Sequence, residues 1–212
     1  MQKRILISAA LIMLLGAALM AFVPMDTLKE ASGADLMMAT TVEDSAKTEF
    51  KWYTISEALE MQKTSHKKIF MDVYTTWCGP CRMLDANTFS NPEIQKLLSE
   101  YYIPVKFNAE SGDTIQYQGQ TFTNRNYSPL PRKSTHDFAV YIASTEQGLG
   151  YPTVVFMDET GTRLQPISGY REAGKGTAQN PGMEPILSFF GTDAYKTATW
   201  NDFYAAFQSN IK

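Results

Sequence analysis

The amino-acid sequence predicts an α/β domain built on a mixed sheet. Apolar runs of strand length alternate with helical stripes, first as strand–helix–strand and then as two strands followed by a helix. The 212 residues include 12 Phe, 11 Tyr and 3 Trp, core-building side chains in a number that argues against a disordered chain. The two cysteines stand together, just after the first apolar run and at the start of the helix behind it.

The elements follow in order. Phe50-Lys51-Trp52-Tyr53 leads into Thr54-Ile55-Ser56-Glu57, a capping box that opens a short helix to about Lys63. Ile69–Tyr74 reads as a buried strand, interrupted only by Asp72. The helix after the cysteines gives way to another, with Asn91 as its N-cap and Pro92 at its first position. Ile94, Leu97, Leu98 and Tyr101 line one face of that second helix. Ile103–Phe107 is the next strand. Thr114–Thr123, with Gly119 near its middle, alternates like a hairpin. Asn124–Lys133, with Pro129 and Pro131, is loop, and Thr135–Ala143 is helical. Thr153–Met157 and Leu164–Ser168 are strands around a turn at Glu159-Thr160-Gly161. A glycine-rich loop from Ala173 to Gly182 precedes helices near Glu184–Phe190 and Trp200–Gln208.

The N-terminal segment reads as an address. Lys3 and Arg4 precede an apolar run from Ile5 to Val23, so residues 1–23 are expected to be a signal peptide or a membrane anchor. Ala21 and Ala34 are candidate cleavage positions, and no cysteine follows the run to carry a lipoprotein anchor. Residues 24–48 read as a polar linker. The folded part is therefore expected to be exported: periplasmic, secreted or anchored on the outer side of the inner membrane. With 19 basic against 22 acidic residues and no basic block, nucleic acid is not an expected partner.

The chemistry concentrates in Trp77-Cys78-Gly79-Pro80-Cys81. Cys-x-x-Cys after a strand reads as a redox motif. Cys78 falls at the helix N-terminus, where unpaired N–H groups favour a thiolate and lower its pKa to about 7 or below. Cys81, one turn inward, is near enough to close a disulfide. Pro80 is tolerated because the first helical turn has no intrahelical N–H bond to lose. A structural disulfide, half of a metal site and two inert thiols are the competing readings. No metal is expected, since His66 and His136 are the only histidines and neither is near the pair in sequence. Trp77 reads as contact surface beside a reactive thiol. Gly169–Lys175 mimics a phosphate-binding loop but is followed by Gly176, where Mg²⁺ binding needs Ser or Thr, and no helix opens there.

On these residues the chain resembles the thioredoxin family over positions 50–169, and residues 49–212 are expected to form one thioredoxin-like domain. The resemblance implies a thioredoxin fold, its mixed central sheet flanked by helices. It implies catalytic roles for Cys78 and Cys81. Asp72, six residues before Cys78, resembles the buried carboxylate that helps Cys81 lose and gain its proton, and Lys106 the lysine beside it. Tyr151-Pro152-Thr153 resembles the cis-proline segment facing the active site, placing Tyr151 and Pro152 with Trp77, Gly79 and Pro80 among substrate-binding residues. Thr75-Thr76-Trp77 and Thr88-Phe89-Ser90-Asn91-Pro92 are similar to exported bacterial members, specifically the C-terminal domain of membrane thiol:disulfide interchange reductases. The chain departs from a minimal member in an insertion at 110–133, ahead of the cis-proline strand, and in Tyr151, where a smaller aliphatic residue is usual.

The function so implied is thiol–disulfide exchange with protein or small-molecule disulfides, in the reducing direction. It requires no cofactor beyond the Cys78–Cys81 disulfide, and a membrane-embedded thiol relay as electron donor. The alternative is a binding or chaperone-like module on the same scaffold.

Overall fold

In the computed structural model, residues 50–212 are described; the expected signal or anchor at 1–23 and the linker at 24–48 lie outside them. Helix α1 (Ile55–Ser65) starts at the expected capping box. Glu57 N–H donates to Thr54 Oγ1 at 3.2 Å, and Thr54 N–H donates to Glu57 Oε2 at 2.8 Å. Strand β1 (Lys68–Tyr74) is followed by α2 (Gly79–Leu84), a π-helical turn (Asp85–Phe89), α3 (Pro92–Tyr101) and β2 (Tyr102–Asn108). A small hairpin, β3 (Ile115–Tyr117) and β4 (Gln120–Phe122), precedes α4 (Asp137–Ala143). The chain continues through β5 (Thr153–Met157), β6 (Arg163–Ser168), α5 (Met183–Gly191), a 3₁₀ turn (Ala194–Lys196) and α6 (Trp200–Ala206).

The main sheet is mixed, as expected, in the order β2-β1-β5-β6. β1 runs parallel to β2 and antiparallel to β5, which is antiparallel to β6. Parallel β1 and β2 need a crossover, and α2–α3 supply it. The prolines sit where a sheet tolerates them, Pro104 in edge strand β2 and Pro166 in edge strand β6. The β2 edge is partly paired: Tyr53 N–H donates to the Pro104 carbonyl at 2.9 Å, and Lys106 N–H to the Tyr53 carbonyl at 3.1 Å.

Alternation along β1 divides the core. Ile69, Met71 and Val73 pack with Ile55 and Ala58 of α1, the hairpin and α4. Phe70 belongs to the other face, with Leu84, Phe89, Ile94 and Leu98 of the crossover and Met183, Ile186 and Leu187 of α5. Phe70 is the hub of that face, its ring 5.3–6.1 Å from Phe89, Tyr102 and Phe156 in edge-on contacts.

The insertion is folded onto the first face. Gln118 and Gly119 both take positive φ (49° and 75°), the backbone that a two-residue hairpin turn requires. Tyr117 and Phe122 each place their rings 5.4 Å from Phe138 of α4. That helix starts at Asp137 rather than the expected Thr135, because His136 caps it: its Nδ1 accepts from Phe138 N–H at 3.0 Å. The final helix likewise ends at Ala206, short of Gln208.

The glycine-rich stretch before α5 is a hydrogen-bonded seam. Gly182, Met183 and Glu184 N–H donate to the carbonyls of Lys175, Glu172 and Ala173 at 2.7–2.9 Å. A Cβ on Gly182 would lie 1.9 Å from the Gly174 carbonyl oxygen, a clash with backbone that no side-chain rotation relieves. Gly182→Ala is therefore expected to destabilise the fold by about 2 kcal/mol. A denaturant midpoint equal to wild type would refute the seam's tight packing.

Candidate active site

The cysteines occupy the first turn of α2. Cys78 is the N-cap residue, and its Sγ accepts from Cys81 N–H at 3.1 Å, so the sulfur lies where the helix presents unpaired donors. Cys78 and Cys81 are joined as a disulfide with Cα atoms 5.3 Å apart. Both residues are buried, at 3% and 2% exposure; Cys78 in this oxidised state is as enclosed as its partner. Pro80 is exposed and Gly79 half-buried; a Cβ added to Gly79 would meet nothing within 4 Å, so the surface at Gly79 is open.

A charged cluster on β1 and β2, the strands before and after this helix, reaches the far end of α2. Asp72 and Lys106 are register partners across β1 and β2, and Lys106 Nζ donates to Asp72 Oδ2 at 2.6 Å. Lys106 also donates to Asp85 Oδ1, at the start of the π turn. Rings of Trp52, Tyr74 and Phe89 surround the ammonium with centroids 5.1–5.3 Å away. Asp72 is fully buried, and its Oδ1 has no hydrogen-bond partner among the described residues. Burial pushes its carboxyl up to about 6; Lys106 opposes the rise and Asp85 adds to it. Burial also disfavours the Lys106 charge, but the two carboxylates outweigh it and hold that pKa above the ordinary value.

A third group gathers around Trp77. Its indole Nε1–H donates to Glu110 Oε2 at 3.0 Å. The other Glu110 oxygen accepts from Arg132 N–H at 2.6 Å, and the Arg132 guanidinium lies 4.5 Å above the Trp77 ring. Tyr151 meets the same indole edge-on, with centroids 6.0 Å apart. The Tyr151–Pro152 bond is cis, and Tyr151 contributes neither N–H nor carbonyl to a backbone hydrogen bond among the described residues. Trp77, Glu110, Tyr151 and the segment 125–137 enclose a cleft of about 820 Å³.

The structure brings Asp72 together with Lys106, the neighbours that the resemblance implied, and sets Trp77 against Tyr151. Asp85, Glu110 and Arg132 enter the site unannounced. Glu110 and Arg132 belong to the insertion, whose only sequence signal was its position ahead of the cis-proline strand. His136 Nε2 lies 2.9 Å from the Asp113 carbonyl while Nδ1 caps α4, so both ring nitrogens are occupied structurally. Among the described residues no three His, Cys, Asp or Glu side chains gather as a metal site. Lys175, in the stretch that mimics a phosphate loop, donates to the Phe207 carbonyl at 2.6 Å, and the next helix begins only at Met183.

The sequence model of a family described as "Thioredoxin-like domain" matches residues 55–178, more than half of the chain. The thiol:disulfide interchange protein DsbD of Photorhabdus laumondii is 25% identical over 145 residues, covering 66% of this chain and 21% of that protein. DsbD of Citrobacter koseri is 30% identical over 125 residues, covering 58% and 18%. The chain therefore spans about a fifth of the length of these relatives. Among solved structures, the oxidised C-terminal domain of Neisseria meningitidis DsbD is 17% identical with a TM-score of 0.37, covering 67% of this chain and 98% of that one.

Proposed function

The chain belongs to the thioredoxin-like domain family, and on that premise we propose that it is a disulfide oxidoreductase that reduces disulfides of partner proteins outside the cytoplasm through Cys78 and Cys81. The observation that carries this reading is the joined cysteine pair in the first turn of α2, with a buried carboxylate–lysine pair on the strand that leads into it and its neighbour. In the reduced protein, the Cys78 thiolate attacks one sulfur of a substrate disulfide. A mixed disulfide forms and the first substrate thiolate leaves. The Cys81 thiolate then attacks Cys78 Sγ, which closes the Cys78–Cys81 bond and expels the second substrate thiolate. Two electrons have passed to the substrate.

Asp72, at about 6, takes the Cys81 proton and returns it. Lys106 stabilises the ionised carboxylate, and Asp85 draws part of that lysine's charge away. The unpaired Tyr151 backbone groups lie free to pair with an extended substrate, in the manner of an added strand, beside Pro152 and the Trp77 face. Gly79 and Pro80 form the open surface across which the substrate lies.

The reducing direction rests on the Gly79-Pro80 pair between the cysteines, which resembles that of reducing members. Export rests on the basic and apolar start of the sequence. Among the described residues no helix is long and apolar enough to cross a membrane. Regeneration calls for a dithiol donor on the same side of the membrane, embedded in it; no nicotinamide or flavin is required by the chemistry. The direct test is insulin reduction with dithiothreitol, together with the potential of the Cys78–Cys81 couple. Turnover, with a potential nearer −270 mV than −120 mV, is expected. No turnover would favour the binding-module reading, and a potential near −120 mV would reverse the direction.

A further inference from the structure

The loop from Asn124 to Ser134 carries Arg125, Arg132 and Lys133 and no acidic residue, in a chain whose net charge is −3. Its two ends are pinned together: Asn124 Nδ2 donates to Ser134 Oγ and to the Ser111 carbonyl, each at 3.0 Å. The loop is thereby held as one wall of the cleft that opens beside Trp77 and Tyr151. Its charges are unequally engaged. Arg125 is paired with Asp137 at 2.9 Å. Glu110 is turned toward the Trp77 indole and the Arg132 backbone, so neither of its bonds is to the Arg132 guanidinium. Arg132 and Lys133 are exposed and form no ion pair with any described residue. Arg132 is instead stacked on Trp77, the residue adjoining Cys78. With Arg125 and Asp137 paired, Arg132 and Lys133 outnumber Glu110 among the remaining charges lining the cleft, and this net positive wall of a concave space of peptide dimensions favours an anionic occupant.

We infer that this cleft docks an acidic, extended segment of the partner that presents its disulfide to Cys78. The inference rests on the oxidoreductase reading for the identity of the partner, but not for the binding itself. Neighbouring features fit the assignment. Tyr127 and Leu130 of the same loop, outside the lining of the cleft, are exposed at 55% and 62% and add apolar contact area along the loop. Gly112 lies against Tyr127, with an added Cβ only 3.1 Å from its ring, so the tyrosine is supported from below.

Binding is read with a dye-labelled, cysteine-free, Asp-rich peptide and its counterpart with Lys in place of Asp, titrated into the oxidised full chain. The acidic peptide is expected to bind about tenfold or more tightly than the basic one, and the preference is expected to vanish near 1 M salt, where the Debye length is about 3 Å. The double variant Arg132→Glu, Lys133→Glu, at two exposed positions, is expected to invert the preference, with its melting transition confirming the fold. Equal binding of the two peptides, or an unchanged preference in the double variant, overturns the inference. Insulin reduction by the same wild-type sample separates the two claims: its absence sinks the redox reading while the peptide titration still decides the docking site.

Discussion

Cys78→Ser is expected to abolish disulfide turnover, by about a thousandfold or more, whereas Cys81→Ser is expected to stall at the mixed disulfide. The asymmetry follows from position on α2. Cys78 caps the helix, with its sulfur at the donor-rich end, and Cys81 lies one turn along, where its only productive target is Cys78. Without the Cys78 thiolate no bond to substrate forms. Without Cys81 that bond forms once and is not resolved, since a hydroxyl is too weak a nucleophile to displace a thiolate at neutral pH. The measurement is insulin reduction for both variants, with non-reducing electrophoresis and mass spectrometry of Cys81→Ser after exposure to a protein disulfide. A covalent adduct at Cys78 is the expected product. Full multiple-turnover activity in Cys81→Ser would show that the two roles are wrongly assigned.

What the sequence could and could not reveal divides along physical lines. Cys78 and Cys81 are separated by one helical turn, and Asp72 lies on the strand immediately before them; such local spacings survive in the one-dimensional record. The strands were legible because each is a short apolar run bounded by turn residues, and the mixed pairing followed from which connection held a helix. Asp85 was not legible. It reaches Lys106 from the start of a π turn, and a five-residue change of helical pitch leaves no periodicity to detect. Glu110 and Arg132 were hidden for a different reason. They meet only because the hairpin packs on Phe138 and Asn124 ties the loop ends together, long-range contacts with no regular spacing. The same folding back sets those side chains around Trp77. The equal burial of Cys78 and Cys81 was equally invisible, since the helix N-terminus alone suggests an outward-facing sulfur.

Asp72→Asn is expected to stabilise the oxidised protein at pH 8 while slowing its redox cycle. The carboxyl is fully buried and stands at about 6 in the fold against an ordinary 3.8. Below pH 3.8 it is neutral in both folded and unfolded chains and contributes nothing to the pH dependence. Between 3.8 and about 6 the folded chain keeps a proton that the unfolded chain has released, so stability falls as pH rises. Above about 6 the carboxylate is charged in both states and the burial penalty is complete, up to about 3 kcal/mol. Asn has nearly the same shape and never ionises, so it escapes that penalty. Lys106 keeps Asp85 as a partner, which limits the loss on its side. The variant should therefore unfold at a higher temperature than wild type at pH 8, with the difference largely gone at pH 4. Its turnover should be slower over pH 6–9 and lack the wild-type inflection near 6, because Cys81 has lost its proton acceptor. A stability difference that does not grow with pH would show that the carboxylate is not penalised by burial. Rates equal to wild type across pH 6–9 would leave Asp72 a structural residue.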